Sequence, residues 1–270
     1  MMRSWLKAHA PESVRKPISD LYWWNHNRGR HVAARILSPL WYSSRRRLRE
    51  LKGQHHGERC FILGNGPSLR QTDLSKLGGE FTFGLNRIYL LFPEMGFSTS
   101  CLVSVNDLVL AQCADELQAL QLPRFVTWRA RKFFTNDPQA TFLDTDYTGQ
   151  ETFASDVTGR VFEGFTVTYV ALQLAFHLGF SEVILVGVDH NFATQGPANE
   201  TIISQGADLN HFSPDYFGKG FKWQLPDLAG SERAYRLAKQ AYEADGRRIR
   251  DATIGGKLTV FPKVDFGSLF

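Results

Sequence analysis

The chain has 270 residues, a hydrophobic fraction of 43% and a net charge of +4, which suits one α/β domain with an extension or two small domains. Its three cysteines form no Cys-x-x-Cys pair, so we expect neither a zinc site nor a disulfide framework, and the compartment should be reducing. No apolar run approaches the ~18 residues of a transmembrane helix and the start lacks the apolar stretch of a signal peptide, so a cytoplasmic protein is expected.

The basic residues are concentrated at the beginning of the chain. Residues 1–59 contain 13 Lys and Arg against 4 Asp and Glu, whereas the remaining 211 residues contain 18 against 23. Four of the six tryptophans also lie here: Trp5, Trp23, Trp24 and Trp41. Helical spacing predicts one apolar face, formed by Val32, Ala33, Ile36, Leu37, Leu40 and Trp41.

Two interpretations of this extension, residues 1–58, remain open. Basic residues beside amphipathic aromatic segments favour a peripheral contact of residues 1–52 with the anionic inner face of a membrane. The alternative is a helical arm that packs on its own domain or on a second subunit of a homo-oligomer. Nucleic acid is not an expected partner, because the rest of the chain has no basic stripe or recognisable module.

From residue 59 onward, short apolar runs alternate with helical patterns. Strands are predicted at residues 60–64, 81–85, 101–105, 124–128, 141–144, 182–188 and 248–252. Helices are predicted at 69–77, 108–120, 166–178 and 231–245. This alternation predicts an α/β fold, a Rossmann-like doubly wound and mostly parallel sheet over residues 59–270, behind the N-terminal helical extension. Residues 193–230 are rich in Gly, Asn, Asp and Pro, and a loop of that length is usually functional or disordered.

A glycine turn follows the first predicted strand, in the run FILGNGPSL from Phe61 to Leu69. Pro67 stands where a helix would begin, and proline is favoured at that position. Gly64 and Gly66 allow a ligand to approach the backbone, and free N–H groups at a helix start attract anions. The run lacks the third glycine of the dinucleotide fingerprint and the Gly-Lys-Ser/Thr of a P-loop. It therefore predicts either a phosphate-binding turn or an ordinary strand-to-helix connection.

Polar residues recur where the predicted strands end. Asn65, Asn86 and Asn106 follow the first three strands, and Asp189 follows the strand at 182–188. Each alone is a typical turn former. Ligands of doubly wound sheets bind beyond the carboxyl ends of the strands, and amide side chains supply both donors and acceptors to a base, a ribose or a phosphate. Their recurrence at one edge predicts a nucleotide site.

These motifs resemble known families. Gly64 to Leu69 with Asp73 and Leu77, then Phe83-Gly84-Leu85-Asn86, resembles a bacterial sialyltransferase family that uses CMP-activated sialic acid. The segment from Thr166 to Gly187-Val188-Asp189 is similar to the same family. The skeleton also looks like the 6-hydroxymethylpterin diphosphokinase (MptE-like) superfamily, which includes relatives in surface-polysaccharide loci. The resemblance covers roughly residues 59–260.

The sialyltransferase resemblance implies roles for particular residues. It implies that Asn65, Asn86 and Asn106 contact the nucleotide and that Thr166 lies near a nucleotide-binding hydroxyl. The glycine turn and the strand ends themselves add Gly64, Gly66, Ser68 and Asp189 to the expected nucleotide-binding residues. His211 falls where the family places its catalytic base, and a histidine suits proton removal from a sugar hydroxyl at neutral pH.

The sequence departs from that family after Asp189. His190-Asn191 and Gly196-Pro197-Ala198 stand where the family has two tyrosines that stabilise the leaving phosphate. His190, Lys219 or Lys222 is then expected to substitute, or the donor differs. His190 is also the alternative catalytic base, because it sits directly at a strand end.

We therefore expect a glycosyltransferase that needs no cofactor and moves a sugar from a nucleotide-activated donor to a glycan or lipid-linked acceptor, in surface polysaccharide or lipopolysaccharide biosynthesis. The first alternative is an MptE-like diphosphokinase that transfers diphosphate from ATP to a small hydroxymethyl acceptor, with Mg²⁺ at Asp107 and Asp189. The second is a non-catalytic accessory protein that binds a nucleotide or a glycan.

Overall fold

A computed structural model describes residues 35–270, and the structural statements below concern that part of the chain. The chain divides into two compact units, residues 1–43 and 44–270. Much of the predicted arm, including Trp5, Trp23 and Trp24, lies outside the described residues. Its membrane contact, its part in a homo-oligomer and the division at residue 58 therefore stay predictions.

Helix α1 (Pro39–Leu51) is the first element described. Leu37 and Ser38 precede it in non-helical backbone, so the apolar face predicted over residues 32–41 does not continue through one helix. Farther along, Leu48 is fully buried and the Arg45 guanidinium donates to the carbonyl oxygens of Thr158 and Phe142, at 2.6 Å each. Residues 44–51 therefore pack against the other residues of the unit formed by residues 44–270.

Ten strands form two sheets. They are β1 (Arg59–Leu63), β2 (Thr82–Leu85), β3 (Cys101–Ser104), β4 (Arg124–Thr127), β5 (Ala140–Asp146), β6 (Arg160–Phe162), β7 (Glu182–Val186), β8 (Thr201–Ile203), β9 (Lys222–Gln224) and β10 (Arg248–Asp251). Eight of them form one sheet in the order β10-β7-β1-β2-β3-β4-β5-β6, and every pairing in it is parallel. The short strands β8 and β9 pair antiparallel within the predicted long loop.

The sheet reverses its order at β1. The chain proceeds from β1 through β6 in one direction, and then returns to place β7 on the other side of β1, with Leu63 opposite Val186. Cys60 and Ile62 point into the core beneath helix α4 (Val167–Leu178), and the intervening Phe61 and Leu63 are also fully buried. Burial on both faces explains why this strand reads as a continuous apolar run. The predicted Rossmann-like parallel α/β fold is confirmed.

The remaining helices are α2 (Phe92–Met95), α3 (Asp107–Ala119) and α5 (Leu228–Ala244). The helix predicted at residues 69–77 is wrong, since the chain forms two short 3-10 turns there, Pro67–Gln71 and Leu74–Leu77. Thr72 separates them in extended backbone, and its hydroxyl donates to the Ser68 carbonyl at 3.0 Å. Local side-chain bonds of this kind compete with helix formation. Across residues 35–270 we find no helix with the length and apolar character needed to cross a membrane.

Candidate functional site

A cavity opens at the point where the order of the sheet reverses. The turns after β1, β2 and β7 form its floor, and the first turns of α3, α4 and α5 form its sides. Part of the segment between β7 and α5, residues 187–227, covers it, including the aromatic side chains Tyr216, Phe217 and Trp223. Doubly wound sheets bind their ligands at such a switch point.

The cavity wall combines apolar and polar side chains and is almost free of formal charge. Among the described residues that line it there is no lysine or arginine, and Asp189 is the one carboxylate. His190 and His211 also line it, and their ring nitrogens can donate hydrogen bonds to a ligand or accept them. Helices of 13, 12 and 17 residues begin at the wall with N-caps Asn106, Thr166 and Asp227. The positive ends of their dipoles add an attraction for anions.

The glycine turn after β1 lies directly against the end of β7. The Gly64 and Gly66 amides donate to the carbonyl oxygens of Val186 and Gly187, at 2.8 and 2.9 Å. A Cβ at Gly64 would stand 2.2 Å from the Gly187 carbonyl oxygen, and one at Gly66 would stand 1.8 Å from Asp189 Oδ2. Glycine is therefore required at Gly64 by the backbone of Gly187 and at Gly66 by the side chain of Asp189, whereas the sequence suggested that these glycines make room for a ligand.

The N–H groups after the turn are also used within the protein. Ser68 donates from its amide to Asp189 Oδ1 at 3.1 Å and from its hydroxyl to Oδ2 at 2.6 Å. Burial raises the pKa of the Asp189 carboxyl above its ordinary value, against the opposing hydrogen bonds from Ser68. Ser68 does not line the cavity. The Ser68 donors are therefore used within the protein, and phosphate binding by the turn from Gly64 to Leu69 stays a prediction.

The three strand-end asparagines meet in the cavity but differ in their partners. Asn106 caps α3 by accepting from the amides of Leu108 and Val109, at 2.9 and 3.2 Å. Asn86 accepts from the Ser104 hydroxyl at 3.0 Å. The Oδ1 atom of Asn65 is buried without a hydrogen-bond partner. A buried polar atom without a partner is destabilising. Of the three asparagines, Asn65 therefore has the acceptor that a ligand's donor would satisfy.

Backbone strain is concentrated around the cavity. Four residues other than glycine have a positive φ, and three of them line it: Asn86 at 47°, Phe165 at 64° and His190 at 54°. A bulky residue such as Phe165 rarely adopts this conformation. A Cβ at Gly230 would come within 2.6 Å of the Phe165 ring, so the start of α5 lies close beneath that ring. Strain of this kind persists where the surrounding structure enforces it, commonly at functional sites.

Thr166, which follows Phe165, begins α4. Its hydroxyl accepts from the Thr168 amide at 3.3 Å, and the Tyr235 hydroxyl lies 3.5 Å away. Thr166 lines the cavity, as expected for a nucleotide contact, while also acting as a helix cap. Its role in nucleotide binding stays a prediction.

The candidate magnesium residues are not brought together as ligands. Asp107 lies outside the cavity wall and pairs with Arg129 at 3.0 Å, while Asp189 is held by Ser68. Within residues 35–270, no three His, Cys, Asp or Glu side chains converge as a metal site requires. A Mg²⁺ ion at Asp107 and Asp189 would have to displace both sets of partners.

His190 follows β7 and faces helix α5. Its Nε2 lies 3.2 Å from Glu232 Oε1, and its ring meets the edge of Tyr235 at 6.3 Å between centroids. Glu232 also accepts from Arg236 at 2.8 Å and is one-third exposed. The histidine is therefore paired with a carboxylate that is shared and partly solvated.

His211 enters the cavity from the covering segment. Its Nδ1 lies 2.7 Å from Asp208 Oδ2, and its ring stacks on Tyr216 at 4.0 Å with an interplanar angle of 9°. Asp208 is 2% exposed and His211 is 12% exposed. The Nε2 atom of His211 makes no hydrogen bond to any residue from 35 to 270. The arrangement leaves one ring nitrogen available in the cavity.

Four cavity residues were not predicted from the sequence, Phe165, Tyr216, Trp223 and Tyr235, and neither was Asp208, which contacts His211 from outside the cavity wall. For Asp208 a signal was present, because Asp208-Leu209-Asn210-His211 places a carboxylate three residues before the candidate base. The aromatic residues carry no local signal, since they reach the cavity through the turn before α4, the path of the covering segment and helix α5.

Comparison with known proteins gives a likeness of fold. No protein-family model matches the sequence, and neither does any curated protein. Among solved structures, the chain is similar to that of the MAf glycosyltransferase from Magnetospirillum magneticum AMB-1, with a TM-score of 0.50 and 14% identity. The match covers 87% of this chain and 40% of the other, so this chain spans less than half the length of that protein. The chain therefore shares the α/β fold of that structure.

Proposed function

We propose that this protein is a glycosyltransferase that binds a nucleotide-activated sugar in the switch-point cavity. The proposal rests on two residues of different chemistry that line the same cavity. Asn65, with its unpartnered Oδ1, lies at the sheet edge, and His211, with an available Nε2, lies in the covering segment. The first suits a ligand's hydroxyl or amine, and the second suits proton removal.

The charge of the cavity supports a donor with few phosphates. A wall that lacks lysine and arginine among the described residues offers little to a triphosphate. The starts of α3, α4 and α5 and the ring of His190 offer hydrogen-bond donors that suit a single phosphate group. This favours a nucleoside monophosphate sugar, in keeping with the resemblance to enzymes that use CMP-activated sialic acid, over the ATP of a diphosphokinase.

The proposed reaction is a displacement at the sugar carbon. His211 Nε2 takes the proton of an acceptor hydroxyl while the oxygen forms its bond to that carbon. The bond between the carbon and the phosphate oxygen breaks, and the nucleotide leaves with the electron pair. His190, held by Glu232, is placed to stabilise the charge on the leaving phosphate. No step of this scheme calls for a metal ion.

The acceptor is proposed to be a glycan or a lipid-linked glycan of a bacterial surface polysaccharide. The fold likeness to a glycosyltransferase supports the reaction class, and the resemblance to polysaccharide-locus proteins supports the acceptor class.

A ligand panel tests the proposal. Melting temperatures would be measured with CMP, a CMP-sugar, UDP-sugars and ATP, each with and without Mg²⁺. A ligand at 100 times its Kd stabilises the native state by about 2.7 kcal/mol, which is easily detected. We expect CMP and its sugar to raise the melting temperature without Mg²⁺. A shift with ATP and Mg²⁺ alone would instead favour the diphosphokinase, and binding without sugar transfer to any acceptor would favour an accessory protein.

A further inference from the structure

The imidazole of His211 is held in one plane by the aromatic residues around it. It stacks face to face on Tyr216 and meets the edge of Phe217 at 4.9 Å between centroids. Phe192 and Trp223 complete the enclosure, each at 6.3 Å. Rotation of the ring out of this plane would collide with these neighbours. The aromatic neighbours therefore set the plane of the ring, and the contact of Nδ1 with Asp208 distinguishes its two nitrogens.

Asp208 is itself fixed where it meets the ring. One carboxylate oxygen accepts from the Asn210 amide at 2.7 Å, and the other faces His211 Nδ1 at the same distance. The Asp208 amide donates to the Pro214 carbonyl at 2.8 Å. Both oxygens of this buried carboxylate thus have defined directions, and only a donor can face Oδ2.

The segment that carries the pair is anchored to the rest of the protein. The Asn210 side chain accepts from the Ala193 amide at 2.8 Å. The next residue but one, Phe212, donates from its amide to the Asn65 carbonyl at 2.9 Å. This last bond links the segment to the glycine turn on the sheet edge. His211 is consequently positioned relative to the cavity floor and not only within its own segment.

We propose that Asp208 is a positioning residue that holds the neutral His211 ring with its proton on Nδ1, so that Nε2 is free to accept the proton of the sugar acceptor. This inference rests on the proposed glycosyltransferase function. A carboxylate in this position selects the tautomer and stabilises the imidazolium that forms. Glu232 orients the His190 ring less firmly, because the same carboxylate also accepts a hydrogen bond from Arg236.

Spectroscopy of the ligand-free protein tests the tautomer. The ¹⁵N chemical shifts of the His211 ring would be recorded at mildly alkaline pH, where imidazole is neutral. We expect a protonated Nδ1 and an unprotonated Nε2 in the wild type. In Asp208→Asn, Oδ1 can keep the Asn210 amide while the new NH₂ group faces Nδ1, so the proton should move to Nε2. Asp215→Asn is the matched control, since Asp215 is exposed in the same segment.

Kinetics of the same variants separate this inference from the proposed function. Asp208→Asn should lower sugar transfer by roughly 10²- to 10⁴-fold and leave nucleotide affinity unchanged, whereas Asp215→Asn should do neither. A wild-type proton on Nε2, or an Asp208→Asn protein with the wild-type tautomer or the wild-type rate, overturns the positioning role. Absence of nucleotide binding in the wild type overturns the proposed function instead, and the wild-type tautomer still decides whether Asp208 orients the ring.

Discussion

The edge of the sheet and the segment that covers it contribute differently to the cavity. At the edge, most polar groups already serve the fold, because Asp189 holds Ser68, Asn106 caps α3 and Asn86 holds Ser104. In the covering segment, the polar contacts orient His211 and leave its Nε2 available.

The comparison shows how residues of one cavity can have separate tasks. The strand ends are rigid because the parallel sheet fixes them, so they suit a fixed binding floor. The covering segment is joined to the floor by the bond from Phe212 to Asn65, and covering segments commonly complete a catalytic set over the substrate. We therefore assign binding to the edge and proton transfer to the segment.

Substitution of the two histidines should give the largest effects, and it tests whether binding belongs to the sheet edge and proton transfer to the covering segment. His211→Gln should lower turnover by roughly 10²- to 10⁴-fold with nucleotide affinity nearly unchanged, because it removes the base and leaves the floor intact. His190→Gln should weaken binding of the phosphorylated donor and retain measurable turnover at saturation. Steady-state kinetics with calorimetric affinities would check both variants. If only His190→Gln is inactive, proton transfer belongs to the strand end and the assignment is reversed.

Asn65→Ala examines the binding floor. Loss of a partner in a desolvated site should weaken nucleotide binding by about 1–3 kcal/mol. The free energy of unfolding of the ligand-free protein should not fall, because the lost Oδ1 atom has no partner in the described structure. Calorimetry and urea unfolding measure the two quantities. An unchanged Kd with the fold intact would remove Asn65 from the site.

Asn106→Ala is the matched variant at the same edge and should affect stability first. It removes the side chain that caps α3, so the free energy of unfolding should fall by about 1 kcal/mol. Urea denaturation of this variant beside Asn65→Ala provides the check. If both variants lose the same stability, the assignment of capping to Asn106 and of ligand binding to Asn65 is contradicted.

His177 gives the smallest effect and lies away from the cavity. Burial lowers its pKa, while its Nε2 donates to the Leu48 carbonyl at 2.7 Å. The unfolded chain therefore takes up the proton first, and stability should fall as the pH drops below about 6.5 towards the folded-state pKa, by at most about 1.4 kcal/mol per pH unit. In urea titrations at several pH values, His177→Gln should make the free energy of unfolding depend less steeply on pH. His211→Gln should leave this dependence unchanged. An identical slope in wild type and His177→Gln would contradict the assignment.

The fold was predictable because its main signal is local. The apolar runs that became β1 and β7 are buried on both faces, and such runs are recognised without knowledge of their partners. The helix expected at residues 69–77 failed because the Thr72 hydroxyl bonds to Ser68, a contact that helical spacing does not reveal.

The site was predictable only in part, because its contacts join distant positions. Asn65, Asn86, Asn106, Thr166 and His211 do line one cavity, as expected for the ends of parallel strands and for a covering loop. The bond between Ser68 and Asp189 spans 121 positions, and it uses an amide that the sequence alone suggested for an anion. Stacking of Tyr216 on His211 likewise depends on how residues 190–227 fold.

The most direct measurement is nucleotide release from the nucleotide sugar that most raises the melting temperature, followed by chromatography for the wild type and His211→Gln at saturating donor. Water or an added glycan serves as acceptor. Our account predicts steady release of the nucleoside monophosphate by the wild type and at least a 10²-fold lower rate for His211→Gln, with equal donor affinity. Equal rates in the two proteins, or binding of no nucleotide sugar by the wild type, would contradict it.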